Sequence, residues 1–253
     1  MILKRRKKLM RRKTSENDGK NLTLTEHLEE LRKRLIYSAV FFIAAALICY
    51  SFAERIIRDM VDLAGDIEFV FISPAELLLA NVKLAMIGGL IIAAPFLIIQ
   101  VWLFVSPGLN AKERKLVAAA ISMGGLFFIA GALFAYFMVI PIVLVFFMGF
   151  QMDIISPMIS FNSYMSFVLS TVVAFGAIFE LPILMILLTR FGIVKVSFIK
   201  KNRKYMVLGI FVLAAIITPP DIISQLLLGL PMLVLMELGI FLSGLFAKKE
   251  DQD

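Results

Sequence analysis

Residues 84–105 read LAMIGGLIIAAPFLIIQVWLFV, 22 consecutive positions without a charged side chain. A helix needs about 20 mostly apolar residues to cross roughly 30 Å of hydrocarbon, and this stretch meets that length. Five further apolar runs flank it, at 35–53, 116–140, 165–189, 205–218 and 222–247. The run at 205–218 has 14 residues ahead of Pro219-Pro220. At about 1.5 Å per residue it reaches roughly 21 Å, so it either stops short of a full crossing or thins the bilayer around it. The last run is divided by Pro231 and carries Glu237. The pattern predicts an all-α polytopic membrane protein with six transmembrane helices. Composition agrees: 60% of residues are hydrophobic and mean hydropathy is +0.93, where about half apolar is usual for a soluble domain.

The charges lie between the runs. Lys and Arg number 12 in residues 1–34, 3 at 112–115, 6 at 190–204 and 2 in the C-terminal tail. These four segments alternate onto one side of the membrane and hold 23 of the 26 basic residues. The other side has Arg55, Arg58 and Lys83, with none at 141–164. Basic loops stay cytoplasmic, which predicts both termini inside. The net charge of +7 therefore sets orientation, with anionic headgroups as a secondary contact, and does not point to nucleic acid. Residues 1–34 are strongly polar and the first apolar run is long enough to span, so no cleavable signal peptide is expected. The domain reading is a basic disordered arm at 1–22, a membrane domain at 23–247 and a cytoplasmic tail at 248–253.

Several chemistries are excluded. His27 is the only histidine and Cys49 the only cysteine, which removes a disulfide framework, a Ser-His-Asp triad and most zinc chemistry. No nucleophile elbow, P-loop or H-E-x-x-H motif occurs. No enzyme, metal or cofactor is expected.

Helix-start signals sharpen the segments. Thr23-Leu-Thr-Glu26 and Ser73-Pro-Ala-Glu76 are capping boxes, the second with Pro at the first helical position. Asn110 to Glu113 has the same spacing, and Asp221 can cap the last helix. Leu24, Leu28, Leu31 and Leu35 form an apolar stripe on a charged helix that enters the first span. Gly124 and Gly131, one heptad apart, allow close helix approach.

Ionisable groups inside the spans each cost a few kcal/mol at mid-bilayer, so they carry information. Glu180 lies in the fourth span, two residues before Pro182. It is either a polar patch facing a groove or partner, or a hydrogen-bonded structural carboxylate. Glu237 and Gln100 pose the same choice. On the basic side, Glu30 can pair with Arg34 at i,i+4 and Glu113 can cap the third span. Arg32 and Arg34 read as positive-inside anchors.

Four motifs, in order, carry a family resemblance over about residues 23–246. They are His27-Leu-Glu-Glu-Leu-Arg-Lys-Arg34; Ser73-Pro-Ala-Glu76 with Pro95-Phe96, Ser106-Pro-Gly-Leu109 and Glu113-Arg114; Phe179-Glu-Leu-Pro182; and Thr218-Pro-Pro-Asp221 with Ser224-Gln225. The sequence resembles TatC, the multi-spanning receptor subunit of the twin-arginine protein translocase. The resemblance implies a concave, glove-like bundle whose last two helices are short. It implies binding of twin-arginine signal peptides on folded cargo, with export driven by the proton-motive force. Glu30 and Glu113 fall at the family's acidic recognition positions, with Arg32 in the same segment. Glu180 matches an intramembrane glutamate on the concave side, near which signal peptides and the single-span TatA- and TatB-like subunits dock. Gln225 and Glu237, with Met206, Leu208 and Ser224, lie where such partner helices are expected, and Asp221 matches an outer-loop position. The implied setting is the cytoplasmic (inner) membrane of a prokaryote, with self-association in the complex.

Two rivals remain. A proton-coupled transporter would use Glu180 and Glu237, against the missing repeat symmetry and the lack of a basic partner in the spans. A membrane scaffold would have no ligand of its own.

Overall fold

The computed structural model describes residues 24–65, 67–71, 73–105, 111–149, 158–218 and 221–246. The arm at 1–22, Thr23, the 106–110 motif with Asn110, Pro219-Pro220 and the 248–253 tail lie outside the described residues. Helix α1 (Leu24–Ser51) turns at Phe52 into α2 (Ala53–Leu63), which buries Ala53 and Met60 and exposes Glu54, Arg55, Arg58 and Asp59. Next come strand β1 (Phe69–Val70) and α3 (Ala75–Val105). Helix α4 (Ala111–Phe134), a π-helical turn (Ala135–Val139) and α5 (Ile140–Met148) follow. Strand β2 (Ile159–Ser160), α6 (Phe161–Phe179) and α7 (Leu181–Arg190) precede α8 (Val196–Lys201), α9 (Arg203–Ile217) and α10 (Ile222–Phe246).

Five helical stretches are long and apolar enough to cross a membrane: Thr25–Ser51, Ala75–Phe104, Ala118–Met148, Phe161–Arg190 and Ile222–Phe246. The remaining expected span, α9, has 15 residues and extends about 22 Å, shorter than the hydrocarbon. The fourth stretch is the centre of the bundle, 50% buried, whereas α1 is 17% buried and peripheral. Phe175, Met165 and Val168 of α6 are fully buried with Ile140 and Val143 of α5 and Leu228, Met232 and Met236 of α10.

Three expectations change. The third span does not end at 140. It continues through Pro141 to Met148, because the π turn sends the Ile140 amide five residues back to Ala135 and accommodates the proline's missing N–H. Burial of Val139, Ile140 and Val143 favours that continuation. The last helix is not short. It has 25 residues and runs unbroken through Pro231, held by a buried stripe of Leu228, Met232, Met236 and Ile240. The Ser73 cap takes a different donor from the one a capping box uses: its hydroxyl accepts from Ala75 N–H at 3.4 Å, while Glu76 N–H goes to the Ser73 carbonyl at 3.0 Å.

Glycines set the helix seams. A Cβ on Gly131 would meet the Phe175 carbonyl oxygen at 2.6 Å, and one on Gly239 would meet Pro182 Cα at 3.0 Å. The sequence reading of Gly131 as a close-approach residue matches this geometry. At the opposite end from the α1 N-terminus, β1 pairs in parallel with β2, Phe69 against Ile159 and Val70 against Ser160. Phe69 packs on the rings of Phe161 and Tyr164. The buried Tyr164 hydroxyl donates to the Met60 carbonyl, tying α2 to the start of α6.

Candidate functional site

Helix α1 lies along α3 in antiparallel register. His27, Arg34 and Phe41, seven residues apart on one face of α1, meet Phe104, Gln100 and Phe96, four apart on α3. The His27 and Phe104 rings stack at 4.2 Å and 15°, and Phe41 stacks on Phe96 at 4.2 Å and 22°. Further along, Gly89 admits the Ala46 backbone. This seam fixes the face of α1 on which Glu30 lies, one turn from His27 and one from Arg34.

Glu30 accepts from Arg34 twice on the same oxygen: Nε stands 3.0 Å from Oε1, and Nη2 donates to that oxygen as well. Arg34 Nη1 donates to Gln100 Oε1 at 3.3 Å. Both side chains of the ion pair are mostly covered, 22% and 24% exposed. Beside them is an open cavity of about 460 Å3 lined by Glu26, Glu29, Glu30, Lys33, Arg34 and Tyr37. Arg32 is exposed and lies away from the seam, since two residues rotate the helix by about 200°. Glu113 is in the first turn of α4; its side chain lies outside the described residues.

Glu180 sits at the single-residue break between α6 and α7. Its amide donates to Ala177 O at 3.2 Å and its carbonyl accepts from Leu184 N–H at 2.9 Å, so the helix resumes at once on the far side. Pro182, near the start of α7, cannot supply an N–H to the preceding turn, which is why the break falls here. A Cβ on Gly124 would come 2.8 Å from Glu180 Oε2; the missing side chain is the space the carboxylate occupies. Oε1 is buried without a hydrogen-bond partner among the described residues.

Glu237 has a cation that sequence reasoning missed. Arg203 Nε, from the start of α9, lies 2.6 Å from Glu237 Oε1, while the same oxygen has no hydrogen bond of acceptable angle. The contact is an ion pair by distance only, and its cation comes from the basic 190–204 segment and not from within the expected spans. Asp221 caps α10: Ser224 N–H donates to Oδ1 at 2.7 Å and the Ser224 hydroxyl donates to Oδ2. These bonds hold the Asp221 carboxyl below the usual carboxylate range. Gln225 is half-buried in the first turn of α10.

Lys83, one of the three basic residues on the side opposite the basic loops, crosslinks α3 to α6. Its Nζ donates to Asn162 Oδ1 at 2.9 Å and to Ser166 Oγ at 3.0 Å. Separations of 79 and 83 residues leave no local signal for this. Among the described residues no group of three or more His, Cys, Asp or Glu is placed to hold a metal ion.

The fold defines a polytopic helical membrane protein with carboxylates at one helix seam and at a helix break. The Sec-independent protein translocase protein (TatC) family model matches residues 26–231, and the chain belongs to that family. The family is a protein-transport component of the Tat system and not an enzyme. The Sec-independent protein translocase protein TatC of Carboxydothermus hydrogenoformans is 39% identical over 236 residues, covering 92% of this chain and 97% of that one. The TatC of Aquifex aeolicus is 37% identical, covering 91% and 98%. A crystal structure of the twin arginine translocase receptor TatC is similar with a TM-score of 0.80 at 37% identity, covering 87% of this chain and 99% of that one.

Proposed function

We propose that this chain is the receptor subunit that binds twin-arginine signal peptides of folded proteins for export driven by the proton-motive force. It would lie in the inner membrane of a prokaryote with both termini cytoplasmic, residues 23–247 forming the receptor domain and 1–22 and 248–253 its cytoplasmic extensions. Glu30 and Glu113 are the carboxylates for the guanidinium groups, with Arg32 in the same binding segment. The observation that carries this reading is the Arg34–Glu30 contact: a mostly covered carboxylate on the basic side of the chain already accepts a guanidinium fork. Charge-assisted hydrogen bonds of about 1.5–3 kcal/mol each give capture that is selective and reversible. A lysine cannot present the planar fork.

Glu180, Gln225 and Glu237 are polar contacts for the signal peptide or for TatA- and TatB-like single-span partners. The orphaned buried Oε1 of Glu180 supports that role, because an unpaired buried acceptor is costly unless a donor arrives. Asp221 holds the outer end of α10. Self-association within the complex belongs to the same reading.

The test is site-specific photocrosslinking from positions 30, 113 and 180 to a twin-arginine signal peptide and to its lysine variant. Crosslinks to the arginine peptide only are expected. Glu30→Ala with Glu113→Ala should abolish export while leaving the protein in the membrane; undiminished crosslinking of that double variant to the twin-arginine motif would refute the assignment.

A further inference from the structure

We infer that Arg34 is an internal competitor that sets the affinity of the site: it holds Glu30 as an internal guanidinium, and a ligand must displace it to bind. This rests on the reading of Glu30 as a signal-peptide carboxylate.

Two ion pairs on α1 show the contrast. Lys33 Nζ meets Glu29 Oε1 at 2.9 Å, and both side chains are 64% exposed. Such a pair exchanges readily with water and contributes little. Arg34 and Glu30 have the same i,i+4 spacing one residue on, but are 22% and 24% exposed. Arg34 directs Nε and Nη2 to the carboxylate and Nη1 to Gln100. Gln100 comes from α3, 66 residues away, so the guanidinium plane is fixed by a second helix and not only by its own. The resting receptor therefore presents a carboxylate that is already paired.

Displacement sets a threshold. An arriving guanidinium offers Glu30 the same planar fork, so exchange is close to even and the rest of the peptide decides the balance. An arriving ammonium is a point charge with no fork and more tightly held water, so it competes at a loss. Every ligand meets the same competitor, so Arg34 lowers all affinities by one factor, and the preference for arginine over lysine is left to the carboxylate itself. The cavity of about 460 Å3 against Glu30, Arg34 and Tyr37 has room for the incoming side chain.

The experiment measures binding of fluorescent signal peptides, twin-arginine and twin-lysine, to the full chain purified in detergent. In Arg34→Gln the competitor is gone. Both peptides should bind about tenfold tighter than to wild type, the loss of one charge-assisted hydrogen bond's worth of competition. The ratio between them should stay as in wild type, because the competitor is common to both. Gln100→Leu frees the fork on one side and should tighten both peptides by less. Unchanged or weaker binding of the arginine peptide to Arg34→Gln overturns the inference and makes Arg34 a support for Glu30. If Arg34→Gln does not fold, unchanged affinity in Gln100→Leu overturns it equally. Failure of the underlying reading looks different: wild type does not bind the twin-arginine peptide, or Glu30→Gln binds it as wild type does.

Discussion

Alanine at Gly89 should damage the seam that presents Glu30, and the size of the effect can be worked from contacts. The new Cβ would stand 2.6 Å from Ala46 Cα, 2.7 Å from Ala46 N and 2.8 Å from Ala46 Cβ. Carbon atoms pack at about 3.5–4.0 Å, so α1 must retreat by about 1 Å. The obstacle is backbone and cannot rotate away, which puts the overpacking near the upper end of its range, about 3 kcal/mol. Alanine's better helix propensity offsets about 1 kcal/mol of this. The net is about 2 kcal/mol, or a fall of about 4–8 °C in Tm for a chain of this size. Gly209 is the control, because a Cβ added there would have nothing within 4 Å; Gly209→Ala should leave Tm unchanged or slightly raised. Gly88→Ala makes a sharper test. Its Cβ would meet Cys49 Sγ at 2.3 Å, a side chain whose own Cβ is 3.7 Å away. Cys49→Ala in the Gly88→Ala background should therefore restore Tm toward wild type. Thermal unfolding followed by circular dichroism in detergent reads all four variants. A Gly89→Ala protein as stable as wild type, or a Gly88→Ala defect untouched by Cys49→Ala, would refute the close-packed seam.

Two further outcomes follow from single contacts. Asp221→Ala removes the α10 cap and should cost about 1 kcal/mol at neutral pH. Because the native carboxyl is held below its usual range by Ser224, the cap's contribution is complete above the unfolded value of about 3.9 and lost as pH falls through the lower native value. The Tm gap between wild type and Asp221→Ala should then be flat from neutral to mildly acid pH and close below about pH 4. Tyr164→Phe leaves the Met60 carbonyl without its buried donor and should cost about 1–3 kcal/mol, with faster proteolysis of the α2 segment as the measurement; an unchanged cleavage rate would show that this bond does not hold α2 in place.

The limits of the sequence appear at particular residues. The sequence reading ran one span through 165–189, yet the helix breaks at Glu180, where Pro182 lacks an N–H for the preceding turn. By the same logic Pro141 and Pro231 should have interrupted their helices, and they did not. At Pro141 a π turn widens the bonding pattern, and at Pro231 a buried stripe keeps the helix together. A local rule was outweighed by packing partners that the local sequence does not contain. The Arg34–Glu30 contact was legible because it spans one helical turn. The Gln100 contact that fixes it was not, because it joins residues from different helices.

What the amino-acid sequence by itself determined is where the long apolar helices lie and how unevenly the basic residues are divided between their ends. Crossing hydrocarbon demands length and apolarity from each segment separately, so those properties can be read one stretch at a time. The tertiary structure alone decided which polar groups inside that frame are satisfied. Lys83 found Asn162 and Ser166, Glu237 came within ion-pair distance of Arg203 without a hydrogen bond, and Glu180 settled against Gly124 with one oxygen unpaired. Each of those outcomes depends on two helices meeting at a given register, and a register is a property of the packed bundle and not of either helix.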